Sequence, residues 1–334
     1  TDDAARTLEH AERRLLLGEA YRRNAQPAEA QASYRKLLEV APDSPLAPQA
    51  LIALGTVAEE QGQRDEAIAA YQQVMTRYPD DELIPDALFR LGLAYVAQKE
   101  YAKAVDALAN VPASYAQADK ATYALAWAYR DMKEHERANA TFARVGDEFP
   151  RSPLVADSLF HLGEYRLTEK NFPEAMRLFN RAMEVVGDSP TASLLTYKLG
   201  VAAYQAGDYA LAVNAFGKVT ANAPTSPYAG DSIFWRAASL EKQGEKQAAA
   251  ARDTYAQYVA KYATGPLVLD AALGAGRAGF QAKQYAAARS DLRKALDLCA
   301  KLSVGPTPAL ADRAKNVAPE AQYYLGQTYF EEAQ

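Results

Sequence analysis

A Leu-Gly dipeptide recurs along this chain of 334 residues, and its spacing constrains the fold more than any other feature of the sequence. The glycines of the first three copies are 37 residues apart, and the same interval separates two later copies. Self-similarity at a period of this length is typical of stacked repeats, in which each unit packs on its neighbours. The six copies are Leu17-Gly18, Leu54-Gly55, Leu91-Gly92, Leu162-Gly163, Leu199-Gly200 and Leu325-Gly326.

Each unit has the pattern of two helices joined by a short turn. In 152–185, Ser152 is predicted to cap a first helix whose first position is taken by Pro153. The polar residues 168–172 are predicted to form the turn, and Pro173 to begin the second helix. Isolated helices of this length are marginal in water, so their stability should come from stacking of the units.

Small residues recur on the first helix of each unit, at the position where it is expected to cross the second helix. A larger side chain there would push the two backbones apart. The small residues are Gly18, Gly55, Gly92, Ala126, Gly163, Gly200, Ala237 and Gly276. The pattern predicts an all-α fold with about eight helix pairs and a terminal helix, forming a single array over 1–334. The longer interval before Gly326 predicts an irregular insertion over 301–319, because this stretch contains proline and glycine.

The chain resembles the tetratricopeptide repeat family over about residues 11–334. The family's pattern of Leu-Gly, Tyr, Ala, an aromatic residue and Pro is met by Leu17, Gly18, Tyr21, Ala30, Tyr34 and Pro42. It is met again, with alanine replacing glycine, by Leu125, Ala126, Tyr129, Ala138, Phe142 and Pro150. The resemblance implies a right-handed superhelical solenoid of stacked antiparallel helix pairs. It also implies a concave groove, lined by the first helices, that binds a protein or peptide segment.

The composition excludes several classes of function. The formal net charge is −5 with acidic and basic residues interspersed, whereas a nucleic-acid-binding protein needs a basic face. No run of about 18 apolar residues is present, so no transmembrane span is predicted. The three histidines lie in different units, Cys299 is the only cysteine, and no catalytic or phosphate-binding motif is recognised. The sequence therefore predicts a non-catalytic protein without a metal or cofactor.

A second pattern on the first helices indicates a binding surface. One position, which the resemblance places in the groove, is aromatic in five consecutive units, and aromatic rings are common interface anchors. The predicted contact surface consists of Phe89, Arg90, Tyr123, Trp127, Arg130, Phe160, His161, Tyr197, Lys198, Phe234 and Trp235. The alternative is that the rings fill seams between repeats, and we expect one ring face to be packed and an edge exposed.

The charges beside these rings indicate what kind of ligand would suit them. The basic side chains in the predicted surface would orient a ligand and favour some acidic character in it. Acidic residues on the same helices argue against a purely anionic ligand; they are Asp86, Asp157, Glu164 and Asp231. The preferred function is therefore a protein-binding scaffold. The alternatives are an oligomerising structural component that self-associates through its repeat ends and, third, an accessory domain of an enzyme.

The Ser-Pro motifs indicate the cellular compartment in which the protein is expected. The motifs at Ser44-Pro45, Ser152-Pro153 and Ser226-Pro227 resemble those of tetratricopeptide repeat proteins of the bacterial envelope. We therefore expect a periplasmic or outer-envelope protein, with a cytoplasmic scaffold as the alternative. The chain begins with Thr1 and ends within a repeat at Gln334, so we expect a processed or truncated protein whose signal peptide or lipid anchor lies outside this sequence.

Overall fold

A computed structural model of the chain describes residues 2–303 and 308–334, and the regular elements in this part of the chain are all helices. This confirms the all-α prediction of eight helix pairs and a terminal helix. In chain order the helices are α1 (Asp2–Arg23), α2 (Pro27–Val40), α3 (Ala47–Glu60), α4 (Arg64–Arg77), α5 (Ile84–Ala97), α6 (Tyr101–Leu108), α7 (Ala118–Asp131), α8 (His135–Glu148), α9 (Val155–Thr168), α10 (Phe172–Val186), α11 (Ala192–Ala206), α12 (Tyr209–Asn222), α13 (Ala229–Lys242), α14 (Glu245–Lys261), α15 (Val268–Gln281), α16 (Tyr285–Leu302) and α17 (Pro308–Ala333).

The helices group into two compact units, Thr1–Ser158 and Leu159–Gln334, and the division falls within α9. We call them unit 1 and unit 2 and describe each by itself. Inside each unit, consecutive helices pack on one another, so the buried cores are formed by neighbours in sequence. The single array over 1–334 stays a prediction.

The crossings between first and second helices are where the recurring glycines predicted them. A Cβ atom added to Gly163 would lie 2.5 Å from Cε1 of the Phe179 ring, which is fully buried. In each other pair the glycine likewise faces a buried side chain 16 positions later. These pairs are Gly18 with Tyr34, Gly55 with Tyr71, Gly92 with Leu108, Gly200 with Phe216 and Gly276 with Leu292. We call these buried side chains, together with Phe142 and Tyr255 of the two pairs that carry alanine, the knobs.

The Ser-Pro motifs form turns that precede the helices, so the prediction that Ser152 caps a helix is wrong. Helix α9 begins at Val155, whose N–H donates to the Ser152 carbonyl at 3.2 Å. The Ser152 hydroxyl accepts from the N–H of Leu154 at 3.1 Å and donates to Asp119 at 2.6 Å. Proline suits this geometry because its fixed φ matches the second residue of a type I turn. Helix α10 begins at Phe172, within one residue of the predicted start.

The predicted inter-helix turns contain one residue in the left-handed region of φ. Gly207 has φ of 81° and Gly244 has φ of 86°. Glycine meets this requirement without steric cost, which explains its recurrence in these turns. In other helix pairs the residue with positive φ is larger than glycine. These residues are Ala25, Lys99, Lys133, Lys170 and Lys283.

The predicted irregular insertion over 301–319 is wrong for most of its length. Helix α16 continues to Leu302, and α17 covers Pro308–Ala333 with Pro319 in its interior. Residues 304–307 lie outside the described part of the chain. A stripe of buried apolar residues explains the helix, because its packing on α15 and α16 outweighs the local effect of proline. The stripe consists of Leu310, Ala314, Val317 and Ala321.

Candidate functional site

The aromatic position of unit 1 combines packing with exposure. Phe89 is 7% exposed, and its ring lies 6.1 Å from that of Tyr115. Tyr123 and Trp127 are half-buried, and both rings contact the knob Phe142 edge-on, with centroids 5.7 and 5.9 Å away. Two rings therefore rest on a buried ring of their own helix pair while part of each stays open to solvent.

Unit 2 repeats this arrangement three times. Phe160, Tyr197 and Phe234 are half-buried. Their centroids lie 6.2, 5.8 and 5.5 Å from the knobs of their own pairs, which are Phe179, Phe216 and Tyr255. The structure thus places Tyr123, Phe160, Tyr197 and Phe234 as expected, with one part packed and another exposed, whereas Phe89 is buried. That they contact a partner stays a prediction.

Two side chains extend this aromatic surface of unit 2. Trp235 is half-buried and packs edge-on against Tyr204, with centroids 5.1 Å apart. The half-buried ring of Tyr228 is stacked on that of Tyr197, at 5.4 Å and an interplanar angle of 21°. Sequence reasoning missed Tyr228 because it precedes α13 in the Ser-Pro turn and does not share the repeated helical position.

The basic side chains of the predicted surface already have partners within the protein. Arg90 donates to Asp86 at 2.8 Å and to the Thr56 hydroxyl at 3.2 Å. Lys198 is 2.9 Å from a carboxylate oxygen of Glu164. The guanidinium of Arg130 lies 4.8 Å from the ring centroid of Trp127, a cation–π distance.

The remaining predicted basic residue, His161, has its ring 5.3 Å from that of Phe160. Since Arg90 and Lys198 pair with carboxylates, the structure supports a preference for acidic ligands less than the sequence does. The charge that a ligand would meet depends on the acidic residues as well.

A row of aspartates lies three residues before the aromatic position. Asp86 accepts from the Tyr115 hydroxyl at 2.6 Å, in addition to Arg90. Burial, followed by this hydrogen bond, raises the pKa of Tyr115 to about 12. Asp157 accepts a hydrogen bond from the Tyr123 hydroxyl, and burial together with this bond raises the pKa of Tyr123 to about 12.

In unit 2 the row continues with Asp231 and Asp270. Asp270 accepts from Nε of Arg313 at 2.9 Å. For Asp231, in contrast, the described residues provide neither a hydrogen-bond donor nor a cation. Asp231 is half-buried, and this burial raises its pKa above the ordinary value of 3.8.

A charged network lies further along unit 2. Arg277 on α15 donates from Nε and Nη2 to both oxygens of Glu241 on α13, at 2.5 and 3.0 Å. The knob hydroxyl of Tyr255 donates to the same carboxylate at 3.0 Å. Charge-assisted bidentate pairs of this kind fix geometry strongly, so this network orients three consecutive helices of unit 2.

Within 2–303 and 308–334, no group of three or more His, Cys, Asp or Glu side chains is arranged to hold a metal ion. None of the helices described above is both long and apolar enough to cross a membrane.

Two family models, both described as tetratricopeptide repeat, match the chain. One matches residues 3–80 and the other residues 53–119, 123–193 and 197–252. No curated protein matches the chain.

Solved structures are similar to the chain in fold. The C-terminal part of a TPR repeat-containing protein from Cytophaga hutchinsonii is 18% identical, with a TM-score of 0.54 over 73% of this chain and 93% of that one. PilF of Pseudomonas aeruginosa is 18% identical, with a TM-score of 0.47 over 65% and 94% of the two chains. YrrB, described as a TPR protein with an unusual peptide-binding site, is 17% identical, with a TM-score of 0.44 over 57% and 93%.

Proposed function

Since this chain belongs to the tetratricopeptide repeat family, we propose that it is a non-catalytic scaffold that binds a segment of a partner protein along its first helices. Proteins built from such repeats use extended surfaces to bind other proteins. One observation carries the proposal: the ring at the same helical position is half-buried in four helix pairs, at Tyr123, Phe160, Tyr197 and Phe234, whereas Phe89 is buried. A ring that only filled the core would have no reason to keep an exposed edge in four pairs.

Packing on the knobs orders these rings before a partner binds. Each half-buried ring rests on a fully or almost fully buried ring of its own pair, as Tyr197 does on Phe216. Contact with a partner would therefore require little further ordering of the side chain, which lowers the entropic cost of association. Aromatic rings also supply a large contact area with few rotatable bonds. The proposed contact residues remain the eleven predicted from the sequence, five of them in unit 1 and six in unit 2.

The test compares a half-buried ring with the knob beneath it. Peptides selected by the whole chain from a random library serve as the ligands. We expect Tyr197→Ala to weaken the binding of peptides seated on unit 2 by about 1–3 kcal/mol while the protein stays folded. Trp127→Ala should do the same for peptides seated on unit 1.

The matched control is Phe216→Ala, which removes the buried ring under Tyr197. We expect this change to reduce the free energy of unfolding by about 3–5 kcal/mol. Melting temperature and affinity are measured on both variants. If Tyr197→Ala lowered only the melting temperature and left the affinity of the folded protein unchanged, the rings would be core residues and the proposal would be wrong.

A second candidate function, assembly of the chain with copies of itself, is favoured by exposed apolar side chains on the first and last helices. Helix α1 exposes Leu8, Leu16 and Leu17, and α17 exposes Tyr323, Tyr329 and Phe330. Large exposed apolar side chains in one region are typical of interaction sites. Sedimentation velocity over a range of concentrations tests this candidate, and a monomer at every concentration would exclude it.

We also propose that the protein acts in a bacterial envelope, on the resemblance of its Ser-Pro motifs alone. Fractionation of cells that express the complete reading frame is the test. Recovery with the cytoplasmic fraction would overturn this proposal and leave the scaffold function untouched.

A further inference from the structure

Asp231 differs from the other members of the aspartate row. Asp86, Asp157 and Asp270 each accept a hydrogen bond from a nearby arginine or tyrosine. Each of these carboxylates is therefore satisfied within the protein. Asp231 occupies the same helical position in its pair, three residues before Phe234, yet no described donor reaches it.

The surroundings of Asp231 are aromatic. Asp231 lies in the first turn of α13, three residues after Tyr228 and three before Phe234. Burial raises the pKa of Tyr197, and the charge of Asp231 raises it further. On the other side, Asp231 is among the causes that raise the pKa of Tyr258, after burial. The stacked pair of Tyr197 and Tyr228 lies on one flank, and Phe234 lies 6.1 Å from Tyr258. The rings of Tyr228 and Phe234, which precede and follow Asp231 in the chain, thus pack against rings of α11 and α14.

Three cations of unit 2 are held by other carboxylates. Lys198, the residue after Tyr197, pairs with Glu164, and Arg313 pairs with Asp270. Arg277 is held in a bidentate pair by Glu241. A half-buried carboxylate without a counter-ion, flanked by aromatic faces, offers a cation both an ion pair and cation–π contacts.

We propose that Asp231, with the rings of Tyr197 and Tyr228, forms a subsite for an arginine or lysine side chain of the partner segment. The inference rests on the proposed function, because it assigns the charge of a ligand bound to the same aromatic surface. The occupant is a segment in which a basic residue lies next to apolar residues. The basic side chain pairs with Asp231, and the apolar neighbours contact Tyr197 and Phe234.

The experiment uses random peptides of about 12 residues, displayed on phage and selected on the whole chain. Selected peptides that lose binding to the Tyr197→Ala variant are kept, because they contact the aromatic surface of unit 2. We expect the kept peptides to share a lysine or arginine. We expect Asp231→Asn to weaken their binding about tenfold or more. Asparagine has nearly the same shape as aspartate but no charge, and the side chain at this position is half-buried.

A double-mutant cycle isolates the contact between Asp231 and the basic residue of the peptide. Replacing the shared basic residue of the peptide by methionine should weaken binding to the parent protein, and should have much less effect on binding to Asp231→Asn. Asp270→Asn is the matched control, since Asp270 occupies the same helical position but is paired with Arg313. We expect it to change peptide affinity less than about twofold, and circular dichroism verifies that both variants are folded.

The outcomes separate the two proposals. Kept peptides without a basic residue, or with an affinity that Asp231→Asn leaves unchanged, would overturn this inference and leave the scaffold function standing. Failure to select any peptide that depends on Tyr197 would overturn binding at this surface and the inference together.

Discussion

At the scale of single residues, the function of a glycine in this protein depends on what its missing Cβ would meet. Gly163 faces the buried ring of Phe179, whereas a Cβ on Gly326 would meet no atom within 4 Å. Both glycines follow a leucine and lie within helices, α9 and α17. The two positions therefore form a matched pair in which only the packing differs.

We expect the same substitution to have opposite effects at these two positions. Gly163→Leu should reduce the free energy of unfolding by about 1–3 kcal/mol or more, because the new side chain must displace Phe179 from a close-packed crossing. Gly326→Leu should increase it by about 0.5–1 kcal/mol, because leucine has the higher helix propensity and the space is open. Denaturant titration measures both, and equal effects of the two changes would contradict the assigned crossing.

The carboxylate of Asp231 predicts a pH dependence of stability. Burial raises its pKa in the folded state above the ordinary value of 3.8. The stability that this group contributes is therefore fully present below its unfolded pKa and is lost as the pH rises through its folded pKa. Asn does not titrate, so we expect the melting temperature of Asp231→Asn, relative to the parent, to increase between pH of about 4 and 7. A difference that stays constant over this range would show that the carboxylate is not desolvated.

At the scale of helices, local sequence signals and packing agree at most positions and conflict at a few. The crossings could be predicted because the contact between a glycine and a knob recurs in six of the eight helix pairs. The turn at Ser152 could not be predicted, because a Ser-Pro pair is compatible with both a helix start and a turn. The helix over 308–319 was missed because proline signals a break, while the buried stripe that outweighs it depends on α15 and α16.

This conflict in α17 gives a prediction about Pro319. The residue is exposed inside the helix, where proline removes a backbone hydrogen bond and crowds the preceding turn. We expect Pro319→Ala to increase the free energy of unfolding by about 1–3 kcal/mol. Thermal and denaturant unfolding check this. A loss of stability would mean that Pro319 is needed for the packing of α17.

At the scale of the whole molecule, each unit is built from contacts between neighbouring helices, which is why a period in the sequence is sufficient to predict the architecture. The aromatic positions of the candidate site could be predicted for the same reason, since they recur with that period. Tyr228 was missed because the same place in the corresponding Ser-Pro turns holds leucine, as at Leu46 and Leu154. The isolation of Asp231 could not be predicted either, because the aspartates at the same position in other pairs find donors on other helices, such as Tyr123 and Arg313.

The placement of the tryptophans has a consequence for spectroscopy. The chain has two tryptophans, Trp127 in unit 1 and Trp235 in unit 2, and both lie half-buried within the aromatic surfaces. Intrinsic fluorescence excited at the indole band therefore comes entirely from the proposed contact regions. With Trp127→Phe the emission reports on unit 2 alone, and with Trp235→Phe it reports on unit 1 alone. Each unit thus carries a native optical label, and titration of an unlabelled ligand can reveal which unit it occupies.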